Sequence, residues 1–164
     1  MNYLTNSYKQ TQKLGEKLAK TLLKKDAGKS AVVLGLQGDL GGGKTTFLQG
    51  FAKGLGVKEK ILSPTFVIMK RFKNFYHIDC YRIKNEKDIL ELGFEEIISD
   101  SKNIVAIEWP ERIKKRLPKS IIIIKFDFID KNKREIAVYF EGIKQNAIID
   151  KKTKLKHYAK YRNK

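Results

Sequence analysis

The chain is short of cysteine, of long apolar runs and of acid, and each shortage excludes something. Cys80 is the only cysteine in 164 residues, so no intrachain disulfide can form and a disulfide-stapled secreted class is not expected. No apolar run approaches the roughly 20 residues of a membrane span. The opening Met1-Asn2-Tyr3-Leu4-Thr5-Asn6 also lacks the apolar region of a signal peptide, so a cytoplasmic protein with no membrane partner is expected. Acid is scarce: 18 Asp plus Glu stand against 35 Lys plus Arg, a net charge of +17. That balance favours polyanions through counterion release, although net charge speaks to partners and never to a site. Only six of the 35 are arginine, so a compositional bias toward lysine is an equally good source of the charge. No internal repeat is visible.

What is present is enough for one core. At 41% hydrophobic content, 164 residues build one domain more comfortably than two, and the expected division is a domain over 1–150 and a basic tail over 151–164. The tail holds seven Lys or Arg and no acid. It reads as a solvated end, against the sharper alternative of a tRNA-contacting arm with Tyr158 and Tyr161 to stack on bases.

The stretch that organises the rest is Gly38-Asp39-Leu40-Gly41-Gly42-Gly43-Lys44-Thr45-Thr46, preceded by the apolar run 31–36. It matches G-x-x-x-x-G-K-[ST] at every specified position, between an expected strand and an expected helix. Glycines let the backbone wrap a phosphate closely, so that successive amides and the helix N-terminus point at the anion. Lys44 would then reach the β and γ phosphates of a nucleotide and Thr45 would put its hydroxyl on Mg²⁺.

Periodicity supplies the frame. Leu14, Leu18, Leu22 and Leu23 mark an amphipathic helix over 7–25, ended by Asp26 to Gly28. The run 31–36 is apolar enough for a central strand, and the helix after the loop should span 44–55. Segment 61–72 starts extended at Pro64 and alternates into a strand through Phe66, Ile68 and Arg71. It turns at Asn74 into a second strand over 75–81, an antiparallel hairpin that carries His77, Asp79, Tyr81 and Arg82. Short helical pieces broken at Gly93 follow, then a compact strand over 104–107 and a short helix from Pro110 to Arg116. Strands over 120–130 and 134–141, joined by Asp130-Lys131-Asn132-Lys133, form a terminal hairpin.

A phosphate loop alone only binds; hydrolysis also needs a carboxylate near Mg²⁺ and a group to position water. Glu108 closes the apolar strand Ile104-Val105-Ala106-Ile107, where an acid would reach the metal directly or through water. Asp79 closes Phe75-Tyr76-His77-Ile78, beside Arg82. Alone, each is an ordinary strand-capping carboxylate; together with Lys44 and Thr45 in one short domain they make a site.

These residues carry a resemblance. The loop, Ser63-Pro64-Thr65-Phe66, Tyr76-His77-Ile78-Asp79-Cys80-Tyr81-Arg82, Leu92-Gly93-Phe94 and Glu108-Trp109-Pro110-Glu111 resemble, in order, the motifs of the TsaE (YjeE) family, over roughly residues 11–141. The resemblance implies a modified P-loop NTPase, an α/β fold with a mixed parallel and antiparallel sheet flanked by helices. It further implies an ATPase needed to make N6-threonylcarbamoyladenosine in tRNAs that read codons beginning with A. Such a protein acts with TsaB and TsaD, using ATP hydrolysis to reset the complex. Carried over, the backbone of Gly38, Asp39, Leu40, Gly41, Gly42 and Gly43, with Lys44, Thr45 and Thr46, would hold ATP or ADP. Thr45 and Glu108 would ligate Mg²⁺, Asp79 would orient or activate water, and Trp109 would lie near the nucleotide. Ser63 and Thr65 would belong to a switch-like loop, and Arg82 would contact a partner or the nucleotide. Gly42, commonly Ala in the family, is a departure, and the basic tail has no counterpart.

Three other readings compete. A guanine-nucleotide switch needs N-K-x-D, and the nearest string, Asn85-Glu86-Lys87-Asp88, has the wrong order. A small-molecule kinase needs a basic lid, for which no arginine cluster is available. A nucleotide-dependent scaffold or tRNA-binding regulator with negligible turnover is made credible by the charge.

Overall fold

The computed structural model describes residues 1–24, 28–64 and 67–140. Its centre is strand β2 (Val32–Gln37), buried along nearly its whole length because both of its faces are covered. Leu34 and Leu36 point into one core, while Val33 points into the other. The first core lies under α1 (Tyr8–Leu23) and α2 (Lys44–Gly54), the second under α3 (Glu86–Leu90), α4 (Phe94–Ser99) and the 3₁₀ segment Pro110–Arg116. This is a sheet with helices on both faces.

The remaining strands are β1 (Asn2–Thr5), β3 (Met69–Phe72), β4 (Phe75–Asp79), β5 (Ile104–Glu108), β6 (Ile122–Phe128) and β7 (Arg134–Phe140). Their order across the sheet is β1-β7-β6-β2-β5-β4-β3. The inner four, β6, β2, β5 and β4, run parallel, while β7, β1 and β3 pair antiparallel at the flanks. Such a parallel block opens its ligand crevice at the carboxyl ends of its strands, and the alternation of side chains along each strand decides what reaches that crevice. Ile104 and Ala106 of β5 and Phe75 of β4 face the α1–α2 core. Glu108, His77 and Asp79 share that parity, so they emerge on the face that α2 covers.

Helix α2 is brought close by α1. Ser7 caps α1, its side chain accepting from Gln10 N, and a Cβ added at Gly50 of α2 would run into the carbonyl oxygen of Gln12. The same holds for Gly15 against the carbonyl of Phe47, so the two helices meet backbone to backbone. Phe47 and Phe51, both fully buried, then fill the space between α2 and the sheet.

Several boundaries differ from the sequence reading. Strand β1 was not expected; it adds to β7 through the register Thr5↔Arg134, with Met1 O accepting from Val138 N. Among the described residues of segment 61–72, the strand is Met69–Phe72. Val67 N donates to Pro64 O and Met69 N to Val67 O, and these turns delay the ladder; Ile68 sits at φ 61 between them. The second strand stops at Asp79 rather than Tyr81, and the helix after Pro110 is of the tighter 3₁₀ type. The strand expected over 120–130 is confined to Ile122–Phe128, whereas that over 134–141 is present through Phe140, the last described residue. The expected helix end at Lys25, Asp26 and Ala27 lies outside the described residues, as do Thr65, Phe66, Glu141 and the tail 151–164 with Tyr158 and Tyr161. No helix among the described residues is long and apolar enough to cross a membrane.

Candidate nucleotide site

The loop between β2 and α2 turns on glycine. Gly38, Gly41 and Gly43 have φ of 139, 77 and 102, values that side-chain-bearing residues rarely adopt. Gly42 N donates to Asp39 O at 3.0 Å, closing the turn, and Phe47 N donates to Gly43 O at 2.9 Å, starting the helix. The amides ahead of that first bond have no intrahelical acceptor, and the helix dipole adds partial positive charge where they point. Leu40 stands at the tip of the loop, 81% exposed.

Lys44 opens α2 and folds back over the loop. Its Nζ donates to Gly38 O at 2.7 Å and to Asp39 O at 2.9 Å, and lies 4.2 Å from the centroid of the Trp109 ring. Burial pulls its ammonium below the usual lysine range, opposed by the charges of Glu108, Asp79, Glu111 and Asp39. A cation so stripped of water is primed to take a strong acceptor.

Thr45, one residue on, donates from Oγ1 to Glu108 Oε1 at 3.1 Å. His77 Nε2 lies 2.9 Å from the same oxygen, and since a carboxylate only accepts, Nε2 carries the proton. Glu108 and His77 are both buried, at 4% and 0% exposure, so this small cluster is shielded from bulk water. Asp79 faces Glu108 across the β4–β5 register. Its Oδ2 accepts from Ser63 Oγ at 2.6 Å and its Oδ1 from Tyr81 N at 3.0 Å, contacts that set the plane of the carboxylate.

Trp109 follows Glu108 with φ 59 and ψ 50, a conformation that costs a bulky side chain free energy. Trp109 N donates to Leu36 O, and Pro110 then starts the 3₁₀ segment, so neighbours on both sides hold the residue there. The result is a ring turned over Lys44 and packed against Tyr81 at 5.3 Å between centroids.

Together these residues line a cleft of about 280 Å³. Of the residues singled out in the sequence, Leu40, Gly41, Gly43, Lys44, Thr45, Thr46, Ser63, Asp79, Glu108 and Trp109 are brought together on its wall, and Tyr81 joins them. Gly38, Asp39 and Gly42 stay off the wall; the first two serve through their carbonyls to Lys44. Arg82 is exposed and not part of the lining. Sequence reasoning assigned no role to Tyr81 or His77, although both stand in the quoted run around Asp79, at the parity and adjacency that deliver them here.

The donor set suits a magnesium–nucleotide pair. No group of three or more His, Cys, Asp or Glu that could hold a metal converges among the described residues. A hydroxyl and a carboxylate at the foot of an anion-binding loop are instead what Mg²⁺ takes when phosphates and waters complete its octahedron.

Residues 5–136 match the family model described as threonylcarbamoyl adenosine biosynthesis protein TsaE. The chain is 39% identical over 153 residues to the tRNA threonylcarbamoyladenosine biosynthesis protein TsaE of Rickettsia conorii, covering 88% of this chain and 83% of the relative. It is 33% identical over 122 residues to the protein of the same name from Haemophilus influenzae, covering 72% and 76%. Among solved structures it is similar to YdiB of Bacillus subtilis, with a TM-score of 0.69, 30% identity, and coverage of 87% of this chain and 86% of that one. The mixed seven-stranded sheet flanked by helices is a P-loop NTPase-like α/β fold.

Proposed function

Since the chain belongs to the TsaE family and so takes part in tRNA threonylcarbamoyladenosine biosynthesis, we propose that it is the ATP-binding and ATP-hydrolysing component of that machinery. It would act with TsaB and TsaD, hydrolysis resetting their complex between rounds. The observation that carries this reading is the meeting of Thr45, at the start of α2, with Glu108, at the end of β5, directly beside Lys44.

Each residue is assigned a role that its contacts support. The loop amides and the α2 N-terminus bind the phosphates, and Lys44 exchanges its two carbonyl acceptors for phosphate oxygens. Thr45 and Glu108 are the ligands assigned to Mg²⁺, which when bound supplies charge neutralisation at the phosphates. His77 holds the Glu108 carboxylate in register by its hydrogen bond. Asp79, oriented by Ser63 and Tyr81 N, positions the attacking water and accepts its proton. Trp109 and Tyr81 shield one side of the cleft from solvent. The domain over 1–150 is assigned to this activity, and any contact with tRNA would be made through the complex or the basic tail.

The decisive experiment mixes the purified chain with TsaB and TsaD and follows phosphate release from ATP with and without each partner. Acceleration in the full mixture, lost in Lys44→Ala, supports the reading. Turnover indifferent to both partners, or a Lys44→Ala protein as active as wild type, would leave the regulator or tRNA-binding alternative, for which one cation among 35 matters little.

A further inference from the structure

Arg134 is the first residue of β7 and shares the parity of Ile136 and Val138, both in the α1–α2 core. Its side chain therefore rises on the same face of the sheet as α2, at the end where β2 delivers the phosphate loop. There it lies against Gly43: a Cβ built on that glycine would come 2.7 Å from Arg134 Nε and 2.8 Å from its Cδ. Its backbone is pinned by Thr5 on one side and Phe128 on the other. The guanidinium is thus carried to the loop by two antiparallel strand pairings.

Two of its nitrogens are buried without an acceptor. Nε and Nη1 have no hydrogen-bond partner, and Arg134 forms no ion pair among the described residues. Arg134 as a whole is half-buried, but holding two guanidinium nitrogens away from water without an acceptor costs free energy, and arginine cannot shed its proton to avoid the cost. A purely structural arginine would be expected to find a carboxylate or carbonyl. This one faces the backbone of the loop whose chemistry calls for an anion.

From this placement we propose that Arg134 is a phosphate-binding residue, supplying a second fixed positive charge to the polyphosphate held by the loop; the assignment rests on the nucleotide reading above. The order β7-β6-β2-β5 sets Arg134 and Glu108 on opposite flanks of the loop. Lys44 and the metal ligands serve the flank beside β5, and Arg134 serves the flank beside β6. Its charge acts on ADP and ATP alike, because the phosphates they share are the ones the loop grips.

Binding of ADP and of inorganic tripolyphosphate to the full chain, measured by calorimetry at two salt concentrations, tests this. Arg134→Ala should raise both dissociation constants about tenfold, with a shallower salt dependence than wild type. Arg134→Lys, which keeps the charge, should recover part of the loss, whereas Arg134→Gln should not. Should Arg134→Ala fail to fold, the Lys and Gln variants carry the comparison, and equal affinities in those two overturn the proposal. So does a loss for ADP with tripolyphosphate unchanged, which would move the contact to the nucleoside. If wild type binds ADP and Lys44→Ala abolishes binding while the Arg134 variants stay within twofold of wild type, this assignment alone falls. If wild type binds neither ligand, it falls together with the nucleotide reading.

Discussion

Thr45 and Glu108 stand 63 residues apart in the chain, yet the hydroxyl of one donates to the carboxylate of the other at 3.1 Å. The parallel pairing Leu36↔Glu108 brings the end of β5 level with the end of β2, and six loop residues then return the chain as α2. In Glu108→Gln the anionic ligand is gone while the shape is kept. The magnesium concentration for half-maximal ATP binding should rise about tenfold, with ATP affinity in chelator unchanged. His77→Leu, which removes the second donor to the same carboxylate, should move that titration in the same direction by a smaller factor. A titration superimposable on wild type for Glu108→Gln would count against the ligand role.

Asp79 separates binding from turnover. Its two oxygens engage Ser63 and Tyr81 N, and neither contact belongs to the loop that grips phosphate. Asp79→Asn should therefore bind ATP within about twofold of wild type while kcat in the assembled complex falls by about 10²–10³. Unchanged turnover would remove Asp79 from the mechanism.

The parts of the site legible in the sequence are those that local spacing encodes. Gly38 to Thr45 announce a phosphate loop because the glycine and lysine offsets are themselves the geometry, and an acid after Ile104-Val105-Ala106-Ile107 lands at a strand end by period alone. The hairpins at Asn74 and Asp130 were readable for the same reason. What escaped depends on register between distant strands. Arg134 reaches Gly43 only because β7 turns back beside β6, and His77 meets Glu108 only because β4 and β5 align Asp79 with Glu108. Strand β1 has only four residues, a single one of them buried, so nothing local distinguishes it; its pairing with β7 makes it a strand. The positive φ of Ile68 is likewise invisible in a residue that favours extended backbone.

Trp109 gives a direct optical reading of Lys44. It is the only tryptophan, and the ammonium lies 4.2 Å from its ring centroid. A cation over the ring is held by about 0.5–2 kcal/mol, so a phosphate that offers Lys44 a stronger acceptor should draw it away. ADP should change the emission of the wild-type protein. Lys44→Ala should shift the emission before any nucleotide is added and show no further response to ADP. An ADP response that persists in Lys44→Ala would assign the signal to some other movement.

Cys80 links the site's packing to alkaline stability. It is fully buried between Asp79 and Tyr81, and burial, aided by the charges of Asp79 and Glu111, pushes its thiol from 9.0 up to about 12. The native thiol therefore stays protonated where the unfolded one ionises, so above pH 9.0 the native state binds more protons than the unfolded chain. Stability must then fall as pH rises from 9.0 toward 12, by up to about 1.4 kcal/mol per pH unit from this group. Urea unfolding of wild type and Cys80→Ala at pH 8, 9.5 and 10.5 isolates it: the two should run parallel below about pH 9, and wild type should lose stability faster above. A thiol-specific disulfide reagent at pH 8 should react slowly with the folded protein and rapidly in urea. Fast labelling of the native state, or identical alkaline slopes in the two proteins, would show that the thiol is not sealed in the second core.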